Sequence, residues 1–76
     1  MEIKMKGEKL GKPLSKRELE VLSLLPQGYA NQQIANTLSI GRNTVENQLW
    51  NTYRKLGCHT RTQAVLKGVK KGIISI

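Results

Sequence analysis

The sequence contains few of the residues that build metal sites, disulfides or membrane spans. Its single cysteine, Cys58, excludes a disulfide within the chain, and with the adjacent His59 it supplies too few ligands for a structural zinc site. No apolar run approaches the ~18 residues that cross a bilayer, and the N-terminus lacks the apolar stretch of a signal peptide. We therefore expect a cytoplasmic protein with no metal or other cofactor, no membrane association and no evident small-molecule ligand.

Patterns that support catalysis are missing as well. The 76 residues suffice for one small domain. They contain no glycine-rich phosphate loop, no carboxylate pair and no nucleophile set beside a base. The sequence accordingly predicts a protein that is not an enzyme.

Acidic residues are scarce and unevenly placed. The chain carries 13 lysines and arginines but only five acids, for a net charge of +8, and no acid follows Glu46. An imbalance of this kind indicates contact with nucleic acid or with an anionic membrane surface, the alternative being a plainly solvated surface.

Capping motifs and apolar spacing predict an all-α fold with four helices. A capping box formed by Ser15 and Glu18 begins the first helix, which ends near Pro26 and Gly28. The second helix is expected over 30–38 and the third over 42–56, with Gly41 supplying backbone freedom at the turn between them. A second capping box at 60–63 begins the fourth helix, which is expected to reach about Lys71.

The second and third helices have the apolar spacing of a helix-turn-helix, although a plain helical corner has it too. On the third helix one stripe faces the core: Val45, Leu49, Tyr53 and Leu56. The opposite face carries polar side chains and one indole: Asn43, Asn47, Trp50, Asn51 and Arg54. Asparagine is a mediocre helix former but bonds adenine in two places, so this face favours base reading over simple solvation.

Glu46 and Trp50 each admit two roles on this face. Glu46 lies at its edge, where it either accepts a hydrogen bond from cytosine or pairs with Arg42 or Arg54 and holds that side chain for DNA. Trp50 either contacts a thymine methyl group or a sugar, or covers the edge of the core. Both residues, with Asn43, Asn47 and Asn51, form the predicted base-reading set.

Phosphate contacts are expected from residues near both ends of the third helix. The predicted set is Arg42, Thr44, Arg54 and Lys55, supported by free amides at the helix N-terminus. Residues 1–13 are predicted to form a basic, flexible arm that either reaches an adjacent part of the duplex or makes no contact.

Residues 14–74 resemble the LuxR-type helix-turn-helix domain along their whole length. The matching pieces are Leu14-Ser15, Arg17-Glu18, Glu20-Val21-Leu22, Gly28, Asn31, Gln33-Ile34-Ala35, Leu38, Thr44-Val45, Asn47, Arg54-Lys55-Leu56-Gly57 and Arg61-Thr62-Gln63-Ala64-Val65. The resemblance implies a four-helix transcription regulator, spanning 14–76 in this chain, whose third helix reads double-stranded DNA. Three positions depart from the family pattern: Glu46, Gly41 where Ser or Thr is common, and Gln48 where His is frequent.

The fourth helix is where the resemblance implies dimerisation. Its apolar residues cover more of the helix than one small core needs, which predicts a homodimer contact through Val65, Gly68, Val69 and Ile73; a wide core face is the alternative. Because the chain starts at Met1 with a 13-residue lead, we expect a stand-alone regulator that acts on a promoter and on RNA polymerase. The competing hypothesis is a protein-interaction module that grips another regulator or the polymerase through Glu46 and Trp50.

Overall fold

The computed structural model describes residues 13–75, and within them it contains α-helices and one short 3₁₀ turn but no strand. The elements in chain order are α1 (Lys16–Leu24), the 3₁₀ turn (Leu25–Gln27), α2 (Asn31–Leu38), α3 (Arg42–Leu56) and α4 (Arg61–Lys70). This confirms the predicted all-α class with four helices. The predicted N-terminal arm lies outside the described residues apart from Pro13.

Side-chain caps explain where two of the helices begin. At α1 the Ser15 hydroxyl accepts from the Glu18 amide at 3.1 Å while the Glu18 carboxylate accepts from the Ser15 amide at 2.8 Å, as the sequence predicts. At α4 the Thr60 hydroxyl accepts from the Gln63 amide at 3.1 Å, but the Gln63 side chain bonds the amide of His59 rather than that of Thr60. The second predicted capping box is therefore only half formed.

The turn between α2 and α3 does not use its glycine as predicted. Gly41 has φ −75°, which any residue adopts, so the expectation that its freedom makes the turn was wrong. Ser39 instead takes the left-handed conformation, with φ 57°. The Ile40 amide then donates to the Ala35 carbonyl at 3.0 Å, which closes the end of α2 before α3 begins.

The core lies where α1, α2 and α3 meet, and α4 closes it from the side. Residues from the three helices are fully buried, among them Leu22, Ile34 and Val45. Thr52 is also fully buried, because its hydroxyl donates to the Gln48 carbonyl at 2.7 Å and needs no water. Tyr53, predicted to face the core, is only partly buried at its edge.

The segment after α4 folds back onto the same core. The amides of Ile73 and Ile74 both donate to the Gly68 carbonyl, at 2.8 and 3.2 Å. A β-carbon at Gly68 would lie only 2.9 Å from the Ile74 side chain and 3.3 Å from that of Leu22. Gly68 is therefore buried by its own chain, and the close approach of a second copy predicted at this residue has no room.

Candidate nucleic-acid interface

Helix α3 buries one face and exposes the other, in the orientation that the sequence predicts. Val45, Leu49 and Leu56 are at most 5% exposed, whereas Trp50, next to Leu49, is 61% exposed. Asn43 and Asn47 are exposed and Asn51 is half-buried. The outward face of α3 thus offers amide groups and an indole from successive turns of one helix.

Two interactions connect side chains one turn apart along this face. The Arg42 guanidinium lies 3.3 Å from the Glu46 carboxylate, and the Arg54 guanidinium carbon lies 5.9 Å from the centre of the Trp50 ring. These four residues form a row along α3, called here the charged row, in which each arginine faces a neighbour four residues away. Of the two roles predicted for Glu46, the free chain shows the pairing with Arg42.

The three asparagines form a second row beside the charged row. Asn43, Asn47 and Asn51 are spaced four residues apart, which sets them about 6 Å apart along the axis of α3. We call this set the amide row. A side-chain amide has both a donor and an acceptor, so the row presents paired hydrogen-bonding groups at regular intervals.

The N-terminus of α3 has no side-chain cap. Gly41 occupies the N-cap position in an extended conformation and has no side chain to accept from the first amides of the helix. Arg42 and Thr44 are exposed beside these amides. The first turn of α3 therefore combines backbone donors, a hydroxyl and a cation, a combination suited to an anion.

Lys55, one of the residues predicted to contact phosphate, forms an ion pair within the protein. Its ammonium lies 2.7 Å from the Glu18 carboxylate, in a pair whose side chains are only 15% and 6% exposed. This internal ion pair joins the last turn of α3 to the first turn of α1 and engages the charge that the sequence analysis assigns to a phosphate contact. The sequence offered no signal for it, because the partners are 37 residues apart.

The Glu18 carboxylate is held in its charged form by this contact. Burial raises the pKa of Glu18, but hydrogen bonds from Lys55 and Ser15, together with the positive charge of Lys55, outweigh burial and leave the pKa lowered. Glu18 therefore stays ionised at neutral pH although it is almost fully buried.

Helix α4 is fastened to both halves of the helix-turn-helix. The Arg61 guanidinium donates to the Tyr29 carbonyl and, at 2.6 Å, to the Asn31 side chain at the start of α2. The Lys67 ammonium donates to the Gly57 carbonyl at the end of α3, at 3.1 Å. Sequence reasoning missed both contacts; only the place of Arg61 in the LuxR-type pattern marked that residue.

The remaining residues predicted to dimerise are only partly available. Val65, Val69 and Ile73 are half-buried, and Val65 and Ile73 pack against the core. The neighbouring Leu66 is 63% exposed. Any apolar contact through α4 therefore centres on Leu66 with the flanks of Val65 and Val69.

Other chemistry is limited in the described part of the chain. Residues 13–75 contain no group of three potential metal-binding side chains, and no helix there has the length and apolar character to traverse a bilayer. Cys58 is a buried free thiol whose pKa is raised by burial, an effect that the charge of Lys67 partly opposes. Its side chain is 5% exposed and forms part of the hydrophobic core.

Comparisons with known proteins agree with this geometry. The family model described as bacterial regulatory proteins, luxR family, matches residues 12–67. The chain is 38% identical over 78 residues to the transcriptional regulatory protein DegU of Brevibacillus brevis. The alignment covers 99% of this chain and 33% of DegU. It thus spans about a third of the length of this relative.

Two solved structures have a similar fold. The response regulator ChrA of a heme-sensing two-component system superposes with a TM-score of 0.80 and 40% identity, over 83% of this chain and 31% of that one. The transcription factor GerE superposes with a TM-score of 0.77 and 39% identity, over 82% of this chain and 92% of that one. With its sequence, its four helices and these matches in agreement, the chain belongs to the luxR family of bacterial regulatory proteins.

Proposed function

We propose that the chain binds double-stranded DNA sequence-specifically, with α3 in the major groove, and so regulates transcription. The observation that carries the proposal is the division of α3 into a buried apolar face and an outward face of amides, an indole and arginines. A helix of this width fits the major groove, where each base pair presents a distinct pattern of donors and acceptors. Membership of a family of regulatory proteins supports the same function.

Base reading falls to the outward face. Asn43, Asn47 and Asn51 of the amide row carry the donor–acceptor pair that adenine matches with its amino group and N7. Glu46 and Trp50 complete the base-reading set, with Glu46 holding Arg42 in the free protein at 3.3 Å. Because Glu46 repels phosphates, it lowers affinity for DNA in general and so raises discrimination between sequences.

Phosphate binding falls to the first turn of α3 and to its last turns. Arg42, Thr44 and the uncapped amides lie together at the N-terminus of α3, and Arg54 lies three turns further along. Backbone amides at a helix N-terminus bind phosphate without a dedicated side chain. Lys55 is left out of this set because its charge is engaged by Glu18.

The proposed regulator acts as a homodimer on a promoter. Two copies joined through Leu66, Val65, Val69 and Ile73 of the α4 region would place two α3 helices in successive major grooves, about 34 Å apart. Gly68 is excluded from this contact because Ile74 covers it. Bound there, the dimer would recruit or block RNA polymerase.

The first experiment is selection of bound sequences from a random duplex pool, followed by titration of the preferred duplex at several salt concentrations. Each phosphate contact should contribute a slope of about −0.9 to the logarithm of affinity against the logarithm of salt. A preferred sequence with a steep salt dependence supports the proposal. Binding without sequence preference, or with a flat salt dependence, would refute it and favour the protein-interaction module.

Replacing Asn47 by alanine tests the base-reading face directly. We expect a loss of about 1–3 kcal/mol on the preferred duplex and little change on random duplex, because one amide pairs with one base. Gln27→Ala is the matched control, since Gln27 is an exposed amide in the 3₁₀ turn, an element that packs on α1 and α4. An equal loss on all sequences would show that Asn47 does not read bases.

A further inference from the structure

We propose that Trp50 reads the 5-methyl group of a thymine, and that the centre of each half-site is consequently an A·T base pair beside it. The inference rests on the proposed DNA binding and goes beyond it by assigning the base pair. Its ligand is one apolar group in the major groove, on the base that pairs with adenine.

The indole does not serve the core of the protein. Trp50 is 61% exposed and lies outside the set of partly buried apolar residues that pack against the core. This removes the alternative in which Trp50 covers the edge of the core. It lies eight residues from the start of α3, about 12 Å along the axis, so it stands near the middle of the outward face.

Arg54 restricts how the indole can be used. Its guanidinium carbon lies 5.9 Å from the ring centre, so one face of the ring is occupied by a cation within the protein. The edge and the other face remain for a partner. Bases in a duplex are stacked and offer only their edges to the groove, where the single apolar group is the thymine methyl.

The neighbours of Trp50 select the same base pair by different chemistry. Asn47 and Asn51 of the amide row lie beside Trp50 on the outward face, three residues before it and one residue after it in the sequence. If one of these side-chain amides bonds to adenine, the base paired with that adenine is a thymine. The amide row and the indole thus read the two members of one kind of base pair.

Charge decides between DNA and a protein as the partner of this surface. Trp50 lies between Arg42 and Arg54 in the charged row, and residues 47–76 contain no acid. The single acid on the row, Glu46, is already paired with Arg42. A surface of this sign fits the phosphate-lined groove of a duplex.

The test uses the duplex preferred by the wild-type protein in the random-pool selection. Each thymine is replaced in turn by uracil, which removes only the methyl group and leaves the protein unchanged. We expect one replacement in each half-site to weaken binding about fourfold, the value of one buried methyl group at about 0.8 kcal/mol. Uracil at thymines outside the footprint serves as the control.

The Trp50→Ala variant, tested on the same thymine and uracil duplexes, shows whether Trp50 is the residue that contacts the methyl group. The variant should bind the thymine duplex more weakly than the wild type does, and should no longer distinguish it from the uracil duplex. Circular dichroism should match the wild type, because Trp50 is exposed. The sole tryptophan of the chain provides an independent readout, since a bound duplex should protect Trp50 from quenching by acrylamide.

Three results would overturn the inference while leaving DNA binding intact. They are a preferred half-site without an A·T pair under α3, uracil duplexes that bind as tightly as thymine duplexes, and an unchanged uracil effect in Trp50→Ala. If the variant does not fold, the uracil series on the wild type still decides. DNA binding unaffected by Trp50→Ala would be a fourth such result and would leave the indole to a protein partner. Absence of any sequence preference or salt dependence would instead refute the proposed function itself.

Discussion

Replacing Lys55 by methionine should destabilise the domain and leave its phosphate contacts unchanged. Methionine keeps most of the apolar stem but leaves the Glu18 carboxylate, 6% exposed, without the ammonium that lies 2.7 Å away. Breaking a buried pair by removing one partner costs about 3–5 kcal/mol. Because the Lys55 side chain keeps 15% of its exposure, we expect a loss of about 2–3 kcal/mol, near the value of a hydrogen bond to a charged group.

Thermal unfolding followed by circular dichroism measures this loss. In a domain of 60–100 residues each 1 kcal/mol shifts Tm by about 4–8 °C, so Lys55→Met should lower Tm by roughly 10–20 °C at pH 7. Arg17→Met is the matched control, because it removes a cation from an exposed ion pair on α1, the helix that carries Glu18. The Arg17–Glu20 pair is 3.4 Å long with side chains 41% and 42% exposed, and its loss should cost less than about 1 kcal/mol.

The pH dependence of the stability provides a second test of the Lys55–Glu18 pair. The pKa of Glu18 is lowered in the folded protein, so its pairing stabilises the fold above the ordinary pKa of glutamate, about 4.3. This stabilisation is lost as pH falls through the folded pKa and Glu18 takes up a proton. The difference in Tm between wild type and Lys55→Met should therefore be full at pH 7 and shrink in acid.

The salt dependence of DNA binding separates the two roles considered for Lys55. If Lys55 only joins α3 to α1, the slope for the folded variant should equal that of the wild type. A variant of unchanged Tm whose slope falls by about 0.9 would refute the internal role and restore Lys55 to the phosphate contacts.

Two further predictions concern the start of α3 and the buried thiol. Gly41→Ser should raise the free energy of unfolding by a few tenths of a kcal/mol, seen as a small rise in Tm. Gly41 already has the extended N-cap conformation, and a β-carbon there would meet only the Thr44 hydroxyl, at 3.9 Å. A lower Tm would show that the turn does not accept a side chain. At pH 7.5 the Cys58 thiol should react with a thiol reagent more than about 100-fold slower in the folded chain than in the urea-unfolded chain. Burial raises the pKa of the thiol and shields it from the reagent until the domain opens. Equal rates would show that the thiol is accessible in the folded chain.

Local patterns in the sequence accounted for most of the fold. The capping box at Ser15 and the stop at Gly57 depend on residues within one turn of the helix end, so α1 and α3 could be placed closely. The orientation of α3 followed from the spacing of Val45, Leu49 and Leu56, because a helix brings such residues to one side. Thr52 lies on that side too, and was missed because a polar residue was not expected there.

Contacts between distant parts of the chain could not be predicted in the same way. The sequence shows Glu18 as a capping residue and Lys55 as a cation, and nothing local shows that the packing of α1 on α3 brings them together. Gly68 reads equally well as a site for a second helix or for the returning chain end, and only the fold shows that Ile74 takes that space. The base-reading roles of the outward face remain predictions.

The two links from α4 also bear on how two copies would measure a promoter. Arg61 is hydrogen-bonded to the start of α2 and Lys67 to the end of α3, so α4 cannot rotate relative to α2 and α3 without breaking both contacts. In a pair of subunits joined at α4, the distance between the two α3 helices would be fixed by the protein. A dimer of this kind would select the spacing between half-sites as strictly as their base sequence. It would not bind two correct half-sites whose spacing places them on different turns of the duplex from the two α3 helices.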